Sequence, residues 1–116
     1  MSDKKLLGEI GEIIAQEYLI NKNYLIIDLN WRYKKAEVDI ISQLKDTLVF
    51  VEVKCRKSDF FSKPEQAINH KKEELYKLAA ENYLETNNLE NEIRFDVISI
   101  IHNNNKTEIE HFISAF

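Results

Sequence analysis

Eight consecutive residues, Val49-Phe50-Val51-Glu52-Val53-Lys54-Cys55-Arg56, restrict the folds open to this chain more than any other stretch. β-Branched and aromatic residues dominate and neither Gly nor Pro interrupts, so the segment reads as a β-strand. Successive side chains on a strand point to opposite faces. Val49, Val51, Val53 and Cys55 therefore share one face, and Phe50, Glu52, Lys54 and Arg56 share the other. A strand this apolar belongs inside a sheet, yet it carries a carboxylate and an ammonium two positions apart. Burying an unpaired charge is costly. Either the two pair at a solvated face, or they flank an anionic ligand together with a divalent cation.

The rest of the chain supplies elements to pack around this strand. From Lys5 to Ile20, Leu6, Leu7, Ile10, Ile13, Ile14 and Tyr18 recur at helical spacing, with Glu9, Glu12 and Gln16 on the other side. Tyr24 to Trp31 reads as a first strand, and Arg32-Tyr33-Lys34-Lys35 as a basic connection. Ala36 to Ser42 reads as a second strand, with Val38 and Ile40 on one face and Glu37, Asp39 and Ile41 on the other. The short turn Leu44-Lys45-Asp46 predicts antiparallel pairing of that strand with Val49–Arg56. A loop from Arg56 to Lys63 exposes Phe60 and Phe61. Ser62 and Glu65 have capping-box spacing with Pro64 in the first turn, which predicts a helix running to about Glu85 with Ile68, Leu75, Leu78, Ala79 and Tyr83 inward. Strands follow at Ile93 to Ile101 and near Thr107 to Ile113. The order αβββαββ, with no linker or repeat, predicts one α/β (α+β) domain over residues 1–116, a sheet flanked by helices. Strand order does not follow from the pattern.

Composition excludes several classes. With 44% apolar and 31% charged residues, the 116-residue chain can bury a core and is not a disordered tail. No apolar run approaches the roughly 20 residues a membrane helix needs. One cysteine allows neither an internal disulfide nor a cysteine zinc cluster. With no signal-peptide pattern at Met1 to Lys5, a cytoplasmic location is expected. The net charge of −4 argues against nucleic acid, but the charge is unevenly spread. Between Arg32 and Lys72, ten Lys/Arg face six Asp/Glu, so the basic excess surrounds the Val49–Arg56 strand.

The two central strands together place Asp39 beside Glu52 and Lys54. Two carboxylates on neighbouring strands can hold Mg²⁺ or Mn²⁺, which prefer oxygen ligands. A lysine beside them can hold a phosphate oxygen or orient an attacking water. Metal-assisted phosphodiester hydrolysis needs that set. Two residues along a strand span roughly 7 Å, so Glu52 and Lys54 can line one site. Alternating Glu and Lys is also common on a solvated strand face.

Several segments, in order, carry a family resemblance: Gly8-x-x-Gly11-Glu12 with Ala15 and Tyr18-Leu19, Asn30-x-Arg32, Glu37-Val38-Asp39-Ile40-Ile41, Val49-Phe50-Val51-Glu52-Val53-Lys54-x-Arg56, Pro64 with Ala67 and Lys71, Arg94-Phe95-Asp96-Val97, and His111-Phe112-Ile113-x-Ala115-Phe116. The chain resembles the YraN-like family of small bacterial proteins, grouped with the restriction-endonuclease-like, or PD-(D/E)xK, superfamily and similar to archaeal Holliday-junction resolvases. The resemblance implies a central mixed sheet flanked by helices. It implies metal binding by Asp39 and Glu52, with the backbone carbonyl of Val53 as a further ligand, and a position near the scissile phosphate for Lys54. Glu12 matches a helix glutamate that completes the site in related resolvases. The helical pattern alone places Glu12 opposite the apolar stripe as a solvated carboxylate, and leaves Glu9 as a rival. Val38 stands where the superfamily has proline, and Ala36 where the family usually has glycine.

Arg32, Lys34, Lys35, Arg56, Lys57, Lys63, Lys71 and Lys72 are candidates for phosphate contacts, Arg32 and Lys71 foremost because they match family positions. Phe60 and Phe61 could stack on bases or be buried in a core or a homodimer contact. His70, His102 and His111 share no metal-ligand spacing and read as structural or surface residues, and Cys55 as a buried, unreactive thiol. The expected function is a Mg²⁺- or Mn²⁺-dependent endonuclease acting on duplex or branched DNA, with RNA not distinguished. The alternatives are a non-catalytic nucleic-acid-binding or adaptor protein that keeps the fold, and a protein–protein interaction domain.

Overall fold

A computed structural model describes residues 3–58 and 68–116. The elements run α1 (Asp3–Asn21), β1 (Leu25–Tyr33), β2 (Ala36–Leu44), β3 (Thr47–Arg56), α2 (His70–Thr86), β4 (Glu92–His102) and β5 (Thr107–Phe112). The five strands form one sheet in the order β1-β2-β3-β4-β5. Neighbours pair antiparallel except β3 and β4, which run parallel from Thr47↔Glu92 to Arg56↔Ile101. A parallel pair needs a long crossover, and α2 lies on it. This α+β architecture, a mixed sheet with two helices, is compatible with a restriction-endonuclease-like fold.

The predicted alternation along β3 divides the core in two. Val49 and Val51 pack with Ala15 and Leu19 of α1 and with Ile40, Ile98 and Ile100, and Val53 and Cys55 border that cluster. Leu48 and Phe50 face the other way, onto Tyr76, Ala79, Ala80 and Tyr83 of α2. One helix therefore covers each face of the sheet.

Both hairpins are tighter than the sequence suggested. Tyr33 pairs with Ala36 and Leu44 with Thr47, leaving two residues in each loop. Arg32 and Tyr33 thus belong to β1, and only Lys34 and Lys35 form the basic connection. Lys34 (φ 55°) and Lys45 (φ 54°) take the left-handed backbone that such short turns demand.

The second helix departs from expectation in its start and its face. Residues 68 and 69 are not helical, and Asn69 caps α2 by accepting the Lys72 N–H at 2.8 Å. The Ser62–Glu65 cap, Pro64, Lys63, Ala67, Phe60 and Phe61 lie outside the described residues. Ile68 precedes the helix, and Leu78, expected inward, is 50% exposed, because Tyr76, Ala79, Ala80 and Tyr83 make the buried face. Among the described residues no helix is long and apolar enough to cross a membrane.

Candidate functional site

The site is built where β2 and β3 part. Their pairing runs from Leu44↔Thr47 only as far as Ile40↔Val51. One residue further, the Asp39 side chain takes over from the ladder: the Val53 N–H donates to Asp39 Oδ2 at 2.8 Å. The alternation of β2 breaks at this point. Val38 and Ile41 pack toward α2 while Ile40 packs toward α1, which corrects the expectation that Val38 and Ile40 share a face. Burial pushes the Asp39 carboxyl up to about 7, and the Glu52 and Glu12 charges add to this against the opposing Val53 hydrogen bond and Lys72 charge.

Glu52 is 6% exposed and its two oxygens turn to α2. Lys72 Nζ donates to Oε1 at 2.6 Å, and the Tyr76 hydroxyl donates to Oε2 at 2.5 Å, both charge-assisted contacts. Lys72 and Tyr76 are four residues apart, so one face of one helix supplies both. Burial raises the Tyr76 hydroxyl far above its usual range, with the Glu52 and Asp39 charges adding to it against an opposing Asp39 backbone hydrogen bond, so Tyr76 keeps the proton it donates to Glu52.

Glu12 arrives from α1. The helix can lie this close to β3 because a Cβ on Gly11 would stand 2.5 Å from Cys55 Cβ. That approach also sets which face of α1 is buried: Gly11, Ala15 and Leu19, while Leu6 and Ile13 of the expected apolar stripe stay exposed. Glu12, next to Gly11, is consequently half-buried rather than solvated, and Glu9 is exposed. Burial raises the Glu12 carboxyl, an Asn30 hydrogen bond lowers it, and the charges of Glu37, Glu9 and Glu52 raise it further. Asn30 holds a left-handed φ of 50° inside β1, which asparagine tolerates well.

Three carboxylates from three elements thus lie within electrostatic reach of one another. Among the described residues no three His, Cys, Asp or Glu side chains converge tightly enough to hold a metal ion as they stand. The donor chemistry nevertheless suits a hard cation, since all three are oxygen ligands, and burial with their mutual repulsion raises Asp39 and Glu12. The Lys72 ammonium supplies the positive charge beside Glu52.

The remaining predicted residues are spread around this centre. Lys54 is half-buried on β3, two residues beyond Glu52. Arg32 pairs with Glu37 at 2.6 Å, and the Lys34 ammonium lies 5.3 Å from the Tyr33 ring centroid. Lys35, Lys57 and Lys71 are exposed and Arg56 is half-buried. The α2 lysine that reaches the carboxylates is Lys72, with Lys71 pointing to solvent. Cys55, expected to be buried, is half-buried against Gly11, and burial raises its thiol.

A second polar cluster was not anticipated. Asp96, with no exposure, accepts Arg94 Nε at 2.9 Å, Arg94 Nη2 at 2.7 Å, His111 Nε2 at 2.6 Å and the Ser114 N–H at 3.0 Å. His111 Nδ1 meets the Tyr18 hydroxyl at 3.2 Å, and Arg94 Nη2 donates to the Tyr24 hydroxyl at 2.6 Å. Burial alone would raise Asp96, but the hydrogen bonds of His111, Arg94 and Ser114 and the Arg94 charge outweigh it and hold the carboxyl below its ordinary value. The only signal in the sequence was Arg94-x-Asp96, two opposite charges on one strand face.

Comparison with other proteins agrees with the segments that carry the resemblance. The model of a family described as "Uncharacterised protein family UPF0102" matches residues 11–100. A UPF0102 protein of Christiangramia forsetii is 43% identical over 116 residues, spanning 100% of this chain and 98% of its own. One from Alkaliphilus oremlandii is 43% identical over 115 residues, spanning 97% and 98%. One from Flavobacterium psychrophilum is 40% identical over 116 residues, spanning 100% and 98%. With end-to-end similarity of this kind, the chain belongs to the UPF0102, or YraN-like, family.

Proposed function

We propose that this protein is a Mg²⁺- or Mn²⁺-dependent endonuclease of the restriction-endonuclease-like superfamily, hydrolysing phosphodiester bonds in duplex or branched DNA. One observation carries the reading: Glu12, Asp39 and Glu52 crowd together from α1, β2 and β3, and Asp39 is pushed up to about 7. Fold stability gains nothing from such crowding, and perturbed carboxylates of this kind gather at functional sites. Asp39 and Glu52 would hold the cation with the Val53 carbonyl, and Glu12 would assist through the metal or through water. A divalent cation held there would supply Lewis acidity and lower the pKa of an attacking water. Lys54 orients that water or offsets charge developing on the phosphate. Arg32, Lys34, Lys35, Arg56, Lys57 and Lys71 position the backbone of the nucleic acid without reading its sequence.

The test is cleavage of labelled duplex DNA, a four-way junction, single strands and an RNA duplex, with Mg²⁺ or Mn²⁺. Asp39→Ala and Lys54→Ala should each lower the rate by about 10²-fold or more. Full activity in either variant overturns the mechanism.

A second reading, a non-catalytic nucleic-acid-binding protein, is favoured by the engagement of both Glu52 oxygens with Lys72 and Tyr76. It predicts binding without cleavage, weakening steeply with salt.

A further inference from the structure

The contact between Lys72 and Glu52 joins two groups with different freedoms. Glu52 sits on a central strand with a side chain 7% exposed, whereas the Lys72 side chain is 34% exposed at the edge of the site. The backbone of Lys72 is fixed by the Asn69 cap at 2.8 Å, but its side chain is a flexible four-carbon stem ending in a hydrated point charge. Tyr76 holds the other Glu52 oxygen, so the strand and helix stay joined when the ammonium leaves. Glu52 thus has one fixed partner and one removable one. The removable partner carries the kind of charge the carboxylate needs when no metal is bound.

We infer that Lys72 is an exchangeable counter-ion: it neutralises Glu52 in the metal-free protein, gives up that carboxylate when a divalent cation binds, and then offers its charge to a phosphate of the nucleic acid. The inference rests on the proposed metal site. Among the described residues Lys72 makes its ion pair with Glu52 and only opposes the rise of Asp39 through its charge, which makes Glu52 the carboxylate at which exchange occurs. Both halves of the exchange leave a measurable trace. Lys72 and the cation compete for Glu52, so weakening Lys72 tightens metal binding. Lys72 and phosphate attract one another only with metal present, so its contribution to nucleic-acid binding depends on metal.

The experiment is calorimetric titration of Mn²⁺ into the full chain, without nucleic acid, for wild type, Lys72→Met and Lys72→Arg, with folding checked by circular dichroism. Lys72→Met should bind Mn²⁺ about tenfold more tightly than wild type, the equivalent of one close charge pair of about 1.4 kcal/mol. Lys72→Arg, whose guanidinium can grip the carboxylate with two donors, should bind it more weakly than wild type. In Ca²⁺, the slope of log affinity for duplex DNA against log salt should fall by about one in Lys72→Met, and should not change in chelator. Equal or weaker Mn²⁺ binding by Lys72→Met overturns the exchange and makes Lys72 a prop for Glu52. An unchanged salt slope overturns the transfer to phosphate. Absence of Mn²⁺ binding in all three proteins overturns both the exchange and the metal site beneath it. Binding that is equal in all three overturns the exchange alone. If Lys72→Met fails to fold, Lys72→Gln, which keeps a polar end without the charge, carries the same expectations.

Discussion

Asp39 and Asp96 are acids enclosed by the same sheet, and they are held in opposite ways. Asp96 receives four hydrogen bonds, two from one guanidinium, and is pulled below its ordinary pKa. Asp39 receives one backbone N–H, faces two other carboxylates and is pushed up to about 7. The first cluster ties β4, β5 and α1 together, because Arg94, His111 and Tyr18 come from those three elements. The second gathers carboxylates from α1, β2 and β3 beside α2, with the Lys72 ammonium paired to Glu52. Burial by itself therefore does not mark function. The useful distinction is between a carboxylate whose lone pairs are taken up by fixed donors and one left short of positive charge.

Four measurements would break or sharpen that distinction. The largest effect is expected at Arg94→Met, which takes from the Asp96 carboxylate two of its four hydrogen bonds and its paired guanidinium. Removing one partner of a buried pair costs about 3–5 kcal/mol, readable by urea denaturation at neutral pH. A loss under about 1 kcal/mol would put Asp96 in the same category as Asp39.

The second measurement is stability against pH in chelator. Asp39 binds its proton more tightly folded than unfolded, so its contribution is full below about pH 4 and is lost as pH rises through about 7, by up to roughly 4 kcal/mol. Asp96 does the reverse, since its depressed pKa contributes stability above the ordinary carboxylate range that is lost as pH falls through its folded value. Asp39→Asn should flatten the decline between pH 4 and 7 and leave the acid limb in place. Superimposable curves for the variant and wild type would mean that Asp39 does not titrate in that window.

A smaller change is expected from Tyr76→Phe, which removes one hydrogen bond to a charged group, about 1.5–3 kcal/mol by thermal or urea unfolding. No change would show that Lys72 alone holds Glu52. Least of all should Lys71→Ala matter, within about 0.5 kcal/mol, because its side chain is exposed. An effect of the same size as Tyr76→Phe would place Lys71 at the site after all.

The sheet was largely legible in advance, because the alternation along β3 sorts Val49 and Val51 from Phe50 and Glu52 whatever surrounds them. The proximity of Asp39 to Glu52 followed from the short Leu44-Lys45-Asp46 turn expected between their strands. Three things were hidden for physical reasons. The break at Asp39 exists because a side chain replaces a ladder bond, and no local propensity records that. The orientation of α1 is set by the close approach of Gly11 to Cys55, a contact between residues 44 positions apart, and it leaves Leu6 and Ile13 of the apolar stripe exposed while Ile14 and Tyr18 pack inward. The Asp96 cluster depends on the register Ile98↔His111, which only strand pairing creates.

Phe116 gives indirect access to the candidate site. Its ring stacks on Phe95 at 5.1 Å between centroids and meets Tyr76 edge-on at 5.4 Å. Tyr76 in turn holds Glu52, so the ring at 116 stands one aromatic contact away from the carboxylates while touching none of them. A fluorine atom on that ring would act as a remote listener. Its NMR shift should move when Tyr76 shifts with metal or nucleic acid, reporting events at Glu52 from a position whose labelling leaves every charge in the site as it was.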